Sequence, residues 1–130
     1  MTNLEIIKAS YQASEEGNIP GIIEAFADDG AWTEMEGFLY AGTYVGKAAI
    51  LENVFQRIGA DWDNFAAVPD EFYDAGDTII TIGYYSGTYK KTGKNMKARF
   101  AHVWKLKNGK IIHMEQLVNT LLVDRAVNPR

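Results

Sequence analysis

Apolar positions follow two rhythms along this chain, and the change of rhythm divides it into elements. From Asn3 to Glu16, Leu4, Ile7, Tyr11 and Ser14 recur at helical spacing. Thr2 with Glu5 fits a capping box, and Gly17 fits the terminating position. A second short helix is predicted from about Ile19 to Ala27, with Asn18 as its cap and Pro20 in its first turn. Ile22, Ile23 and Phe26 form its apolar face. A third runs from about Lys47 to Ile58, with Ile50, Leu51, Val54, Phe55 and Ile58 inward and Gly59 ending it. Elsewhere the period shortens to two. Ala31 to Glu36 alternates around Trp32, Glu34 and Glu36, and Phe38 to Tyr44 is a short partner. Trp62 to Tyr73, Thr78 to Tyr89, Asn95 to Lys107 and Lys110 to Asn119 follow as long strands, and Leu121 to Ala126 forms a last helical turn.

This order predicts an α+β fold, with helices packed on one face of a strongly bent sheet. Asn108-Gly109 is a two-residue hairpin signal, and Thr92-Gly93 marks the hairpin before it. If Asn108-Gly109 is the loop and the ladder is regular, Trp104 meets His113, His102 meets Glu115 and Phe100 meets Leu117 on one face. Val103 then meets Met114, Ala101 meets Gln116 and Arg99 meets Val118 on the other. Both faces carry apolar residues, while short helices cover only one. The expectation is that a second copy of the chain covers much of the other, as a symmetric homodimer.

Composition narrows the function classes. At 130 residues and 14.5 kDa, residues 1–130 read as a single domain. A folded chain of this mass exposes roughly 7,000 Å² against roughly 21,000 Å² unfolded, which allows a core and an internal pocket. No apolar run approaches the length that spans a bilayer, and no signal peptide is readable at the N-terminus. The absence of cysteine excludes disulfides and thiolate metal sites and is compatible with a cytoplasmic home. Residues 1–77 hold 15 acids and three bases, whereas residues 90–110 hold eight bases and no acid. That stripe reads as the wet outside of a hairpin, because the net charge of −4 argues against nucleic acid as a partner.

Two stretches carry a resemblance. Phe26 to Glu34 reads Phe-Ala-Asp-Asp-Gly-Ala-Trp-Thr-Glu after two helices. Arg99 to Ile111 reads Arg-Phe-Ala-His-Val-Trp-Lys-Leu-Lys-Asn-Gly-Lys-Ile, followed by Met-Glu-Gln-Leu-Val-Asn-Thr at Met114 to Thr120. Together they resemble the first strand and last hairpin of the SnoaL-like branch of the nuclear transport factor 2-like superfamily. The resemblance implies a cone, with a strongly curved mixed sheet and about three helices from the N-terminal half closing a hydrophobic pocket. It also implies a dimer. Members of that superfamily include polyketide cyclases, a steroid isomerase, an epoxide hydrolase, a dehydratase and proteins with no chemistry. Position by position, Glu34 falls on the steroid isomerases' general base. Their first-helix tyrosine falls on Ser10, with Tyr11 one place off, and their protonated aspartate falls near Ala101. The epoxide hydrolase matches at Arg99, but its two acids fall on Ala101 and Gln116. The cyclase acid also falls on Gln116, so no known catalytic set is intact.

The residues themselves suggest proton chemistry beside a carbonyl. Glu34 shares a strand face with Trp32, and an apolar pocket would raise its pKa into the range of a usable base. Arg99 can hold an oxyanion, Gln116 can orient a carbonyl and Tyr85 can supply a phenol. The plainer alternatives are that Glu34 pairs with Arg99, that Gln116 is a satisfied inner polar group, and that His102 lies at a subunit interface. Trp32, Phe26, Phe55, Trp62, Tyr85, Ala101, Val103, Met114 and Val118 are the expected pocket lining. Two histidines with Glu115 make a weak metal signal, and no phosphate loop or nucleophile elbow is present. No metal or cofactor is called for. Two function classes stand: a cofactor-free isomerase, cyclase or dehydratase acting on a small hydrophobic carbonyl compound, or a non-catalytic binding or scaffold domain using the same pocket.

Overall fold

Thr2 opens the first helix as its chemistry requires. In the computed structural model, which describes residues 1–130, its hydroxyl accepts from the Glu5 backbone N–H at 3.1 Å. The Thr2 N–H donates to the Glu5 carboxylate at 2.8 Å, completing the capping box of α1 (Asn3–Glu15). The Asn18 side chain accepts from the Gly21 N–H and starts α2 (Ile19–Glu24). The second helix is shorter than its apolar spacing predicts. The Ile111 N–H donates to the Ala25 carbonyl at 3.0 Å, so sheet pairing takes over and β1 (Phe26–Glu34) begins at Phe26.

The short partner strand is β2 (Gly42–Val45), later than the predicted span. The third helix is three pieces end to end: α3 (Lys47–Ile50), a π-helical turn (Leu51–Phe55) and α4 (Gln56–Asp61). It runs through Gly59 and stops only where β3 (Trp62–Asp74) begins. Then come β4 (Thr78–Tyr89), β5 (Asn95–Lys107), β6 (Lys110–Val118) and α5 (Thr120–Val127). Asn119 caps α5, which is a full helix rather than one turn.

The six strands form one sheet in the order β2-β1-β6-β5-β4-β3. Only the β1–β6 pair is parallel. The sheet curls into a cone. The helices α1 to α4 close its concave side, with α1 on β3 and β4, and α3 on β1. Phe26, Ile50, Ile79, Phe100, Ile111 and Met114 are fully buried between the layers. The folded chain exposes 7003 Å², close to the surface expected for its mass. No helix is long and apolar enough to cross a membrane.

One irregularity sets which residues face inward. Asn108 (φ 52°) and Gly109 (φ 75°) turn the last hairpin as predicted, and Lys107 pairs with Lys110. The ladder then slips. Leu106 pairs with Ile111 but Lys105 pairs with His113, so Ile112 is an extra residue on β6. Beyond this bulge every partner differs by one from the regular ladder: Trp104 faces Met114, His102 faces Gln116 and Ala101 faces Leu117. A one-residue slip transfers side chains to the opposite face. Gln116 and Met114 therefore join His102 and Trp104 on the concave side.

Candidate active site

The register aligns four polar residues in one row across the concave face. Glu34 on β1 pairs with Gln116 on β6, Gln116 with His102 on β5, and His102 with Thr81 on β4. All four are at most 3% exposed, and only Ser10 joins them as a buried polar residue. On one side of this row lies the apolar row Trp32, Met114, Trp104 and Ile79. On the other side Phe100 stacks on His102 at 4.0 Å between ring centroids. The sheet thus holds a polar band in an apolar surface, under the helices.

A cavity of about 430 Å³ opens over this band, of a size suited to a small organic molecule. Strand β1 supplies Trp32 and Glu34, and β3 supplies Trp62, Asn64 and Phe65. Tyr85, His102, Trp104 and Gln116 come from β4 to β6, and the helices bring Tyr11, Val54, Phe55 and Ile58. No lysine or arginine lines the cavity.

The polar groups are linked by hydrogen bonds. The Trp104 indole N–H donates to the Tyr11 hydroxyl at 3.1 Å. That hydroxyl lies 2.5 Å from His102 Nδ1, and the Tyr85 hydroxyl lies 2.6 Å from His102 Nε2. The Gln116 amide donates to the Tyr85 hydroxyl at 3.2 Å, while its carbonyl oxygen accepts from the Met35 N–H at 3.4 Å. Burial lowers the His102 pKa to about 3, so the imidazole is neutral in the physiological range. Burial also raises the phenol pKa values of Tyr11 and Tyr85.

Glu34 stands apart from this chain. Its Oε2 and the Trp32 indole N–H are both buried without a hydrogen-bond partner. Burial raises the Glu34 pKa to about 7, against smaller opposing effects of the Trp32 indole and the Arg57 guanidinium. A carboxylate half-ionised near neutral pH, with one oxygen uncommitted and facing an apolar cavity, has what a general base needs.

Of the residues singled out from the sequence, Glu34, Gln116, Trp32, Phe55, Trp62 and Tyr85 meet at the cavity. His102 lines it too, whereas Phe26, Ala101, Val103, Met114, Val118 and Arg99 do not. Phe26 and Met114 are buried in the layer behind, with Phe26 packed on Trp32 at 5.9 Å. Val118 is half-buried against the core near the strand end. Ala101 and Val103 alternate with His102 and so lie on the convex face, half-exposed. Arg99 is on that face too. Its guanidinium donates to Asp70 and Glu71 at 2.7 Å each and covers the Tyr84 ring, so it neither reaches the cavity nor pairs with Glu34. Arg99 alternates with Phe100 and His102 on an unbroken β5, and the Ile112 bulge, which a regular ladder omits, is what puts Gln116 on the opposite face from it. Sequence reasoning set His102 toward a subunit interface and left Tyr11 and Trp104 out of the site.

The SnoaL-like domain model matches residues 7–114. The chain belongs to the SnoaL-like domain family. A nuclear transport factor 2-like protein from Burkholderia thailandensis E264 is 44% identical, with 99% of each chain covered and a TM-score of 0.96. TerC, co-crystallised with polyporic acid, is 27% identical, with 96% of this chain and 97% of that one covered and a TM-score of 0.87. A Mesorhizobium loti protein described as a SnoaL-like polyketide cyclase is 28% identical, with 90% and 99% covered and a TM-score of 0.73. Among curated proteins none matches. A cystatin-like fold from Xanthomonas campestris, 19% identical, aligns over 95% of this SnoaL-like chain at a TM-score of 0.82 and agrees in fold alone.

Proposed function

We propose that the cavity binds a small, neutral, hydrophobic carbonyl compound and that Glu34 removes a proton from the carbon beside the carbonyl. The observation that carries this reading is the Glu34 carboxyl, buried in an apolar cavity with a pKa of about 7 and an uncommitted oxygen. In the step, the carbon–hydrogen bond breaks, the proton goes to Glu34, and the electron pair moves onto the carbonyl oxygen as an enolate. A neutral donor on the cavity wall stabilises that oxygen. Return of the proton to another carbon is an isomerisation. Attack by the enolate within the same molecule is a cyclisation, and loss of a β-hydroxyl is a dehydration. None of these needs a cofactor. The 27% identity to TerC supports small-molecule binding in this fold, and the likeness to the Mesorhizobium protein supports the cyclase class.

The reading includes a homodimer formed through the convex face. Val68, Tyr73, Tyr84 and Leu117 are 58%, 50%, 38% and 41% exposed. Arg99, Asp70 and Glu71 lie among them, so the patch carries both charge signs and suits a two-fold contact with itself.

The experiment uses purified protein with 2-tetralone, an aromatic ketone with exchangeable protons beside its carbonyl. Polyporic acid serves as a second binding probe. Ligand at about 100 times its Kd adds about 2.7 kcal/mol of stability, which a thermal shift reads. Exchange of the 2-tetralone protons in D2O is expected to be accelerated. Glu34→Gln should reduce that acceleration by about 10²–10⁴-fold without losing the fold. Ligand binding with no exchange by the wild type would return the protein to the binding class. Sedimentation of the same sample is expected to give the mass of two chains.

A further inference from the structure

The hydrogens of the buried chain can be counted. A neutral imidazole carries one N–H, and each tyrosine carries one O–H. The two contacts between His102 and the tyrosines use one hydrogen each, so three hydrogens serve two bonds. One tyrosine hydrogen is always left over, and the His102 tautomer decides which. With the hydrogen on Nε2, His102 donates to Tyr85, Tyr11 donates to Nδ1, and the Tyr85 hydrogen is free. With the hydrogen on Nδ1, the roles reverse and the Tyr11 hydrogen is free.

The two ends of the chain differ in what they offer to the free hydrogen. Each phenol oxygen already accepts from a fixed donor, the Trp104 indole for Tyr11 and the Gln116 amide for Tyr85. The Gln116 amide cannot turn over without giving up the Met35 N–H that its carbonyl accepts. At the Tyr11 end the waiting acceptor is Thr81 Oγ1, a fully buried neutral hydroxyl without a partner. At the Tyr85 end lies the field of the Glu34 carboxylate, whose Oε2 has no partner and which lines the same cavity. An ionised carboxylate attracts a donor hydrogen more strongly than a neutral hydroxyl does. The Glu34 charge is also felt at Tyr85, where it holds the proton on the phenol.

We infer that His102 carries its hydrogen on Nε2 and thereby turns the Tyr85 hydroxyl hydrogen into the cavity, making Tyr85 the donor to a bound ligand's carbonyl oxygen. Tyr11 lines the same cavity but has spent its hydrogen on His102. It and His102 are positioning residues, and Tyr85 alone of the two phenols touches the ligand. The donor thus sits beside the Glu34 base. A ligand carbonyl oxygen then accepts the Tyr85 hydrogen, while the unpartnered Glu34 oxygen takes the neighbouring proton. This inference rests on the reading of the cavity as a carbonyl site.

Two measurements test it. Nitrogen-15 NMR of histidine-labelled, ligand-free protein reads the tautomer directly, and the chain has only two histidines to assign. The expected result is a protonated Nε2 and an unprotonated Nδ1 for His102. The reverse pattern, or a mixture of both, would overturn the inference with no variant needed. The second measurement is the infrared carbonyl band of bound 2-tetralone carrying carbon-13 at the carbonyl. A shift to lower frequency on binding is expected, lost in Tyr85→Phe and kept in Tyr11→Phe. A shift that survives Tyr85→Phe overturns the assignment of the donor. Failure of proton exchange alongside the expected tautomer and band shift would sink the catalytic reading and leave this one standing.

Discussion

Alternate residues of β5 face two different worlds. On the concave side, Phe100, His102 and Trp104 are at most 3% exposed, and the polar member is neutral, short-bonded and hemmed in by rings. On the convex side Lys97, Arg99 and Lys105 carry full charges in water, and Arg99 holds two ion pairs at 2.7 Å. Charge and ion pairs, the features easiest to see in the sequence, mark the side away from the cavity. The side that carries the candidate chemistry has few polar groups, and their properties come from burial. The lesson is that dielectric environment, more than residue charge, distinguishes the two faces.

The largest test of that contrast is a titration. The folded Glu34 pKa of about 7 lies above the ordinary value of 4.5. Between those values the folded protein keeps a proton that the unfolded chain releases. Stability is therefore lost as pH rises from about 4.5, and the loss levels off above about 7. The full effect is on the order of 3 kcal/mol. His102 acts with the opposite sign. Its folded pKa of about 3 lies below 6.5, so it removes stability as pH falls through that window. His102 is common to wild type and Glu34→Gln and cancels in their difference. The expected result, from urea unfolding at pH 5 and pH 8, is that Glu34→Gln gains on the wild type at the higher pH. A pH-independent difference would mean that Glu34 is solvated like a surface carboxylate.

A pair of substitutions on one strand gives a smaller effect. His102→Phe keeps the stack on Phe100 but removes both bonds to the tyrosines. The expected loss is about 2 kcal/mol, at about 1 kcal/mol for each net hydrogen bond. Arg99→Met removes two ion pairs on the exposed face, and its urea midpoint is expected to stay where the wild type's lies, because solvated pairs contribute little. Equal losses for both variants would erase the distinction between the faces.

The elements of this fold were legible because they rest on local chemistry. The Thr2–Glu5 capping box, the Asn18 cap and the Asn108-Gly109 turn all form as their residue types require. The family resemblance supplied the closed cone, and Glu34 was legible as an inward carboxyl beside Trp32. The boundaries that moved did so under tertiary pull. Phe26 left its helix because β6 pairs at Ala25, and the third helix ran past Gly59 because nothing but β3 stops it. The facing of β5 and β6 was not legible from alternation and hairpin length alone. Those two rules assume one partner per residue, and the β6 strand spends Ile112 without one. Arg99 and Gln116, assigned to one face by that count, lie on opposite faces, and His102 takes the place beside Gln116.

The bulge itself yields the smallest expected effect and a sharp check on that explanation. Ile112 is 38% exposed and has no cross-strand partner, while the residues on either side of it pair with Leu106 and Lys105. Removing it leaves Ile111 opposite Leu106 and His113 opposite Lys105, so every inner pair from Trp104–Met114 onward is kept. The Ile112 deletion is expected to fold, to cost about 1 kcal/mol through lost local twist and β1–β6 fit, and to bind polyporic acid or 2-tetralone as the wild type does. Deleting Glu115 instead, beyond the bulge, moves the residues after it by one place and turns Gln116 away from His102. That variant is expected to lose ligand binding and most of its stability. If both deletions behaved alike, something other than the Ile112 bulge would be holding the polar row in register.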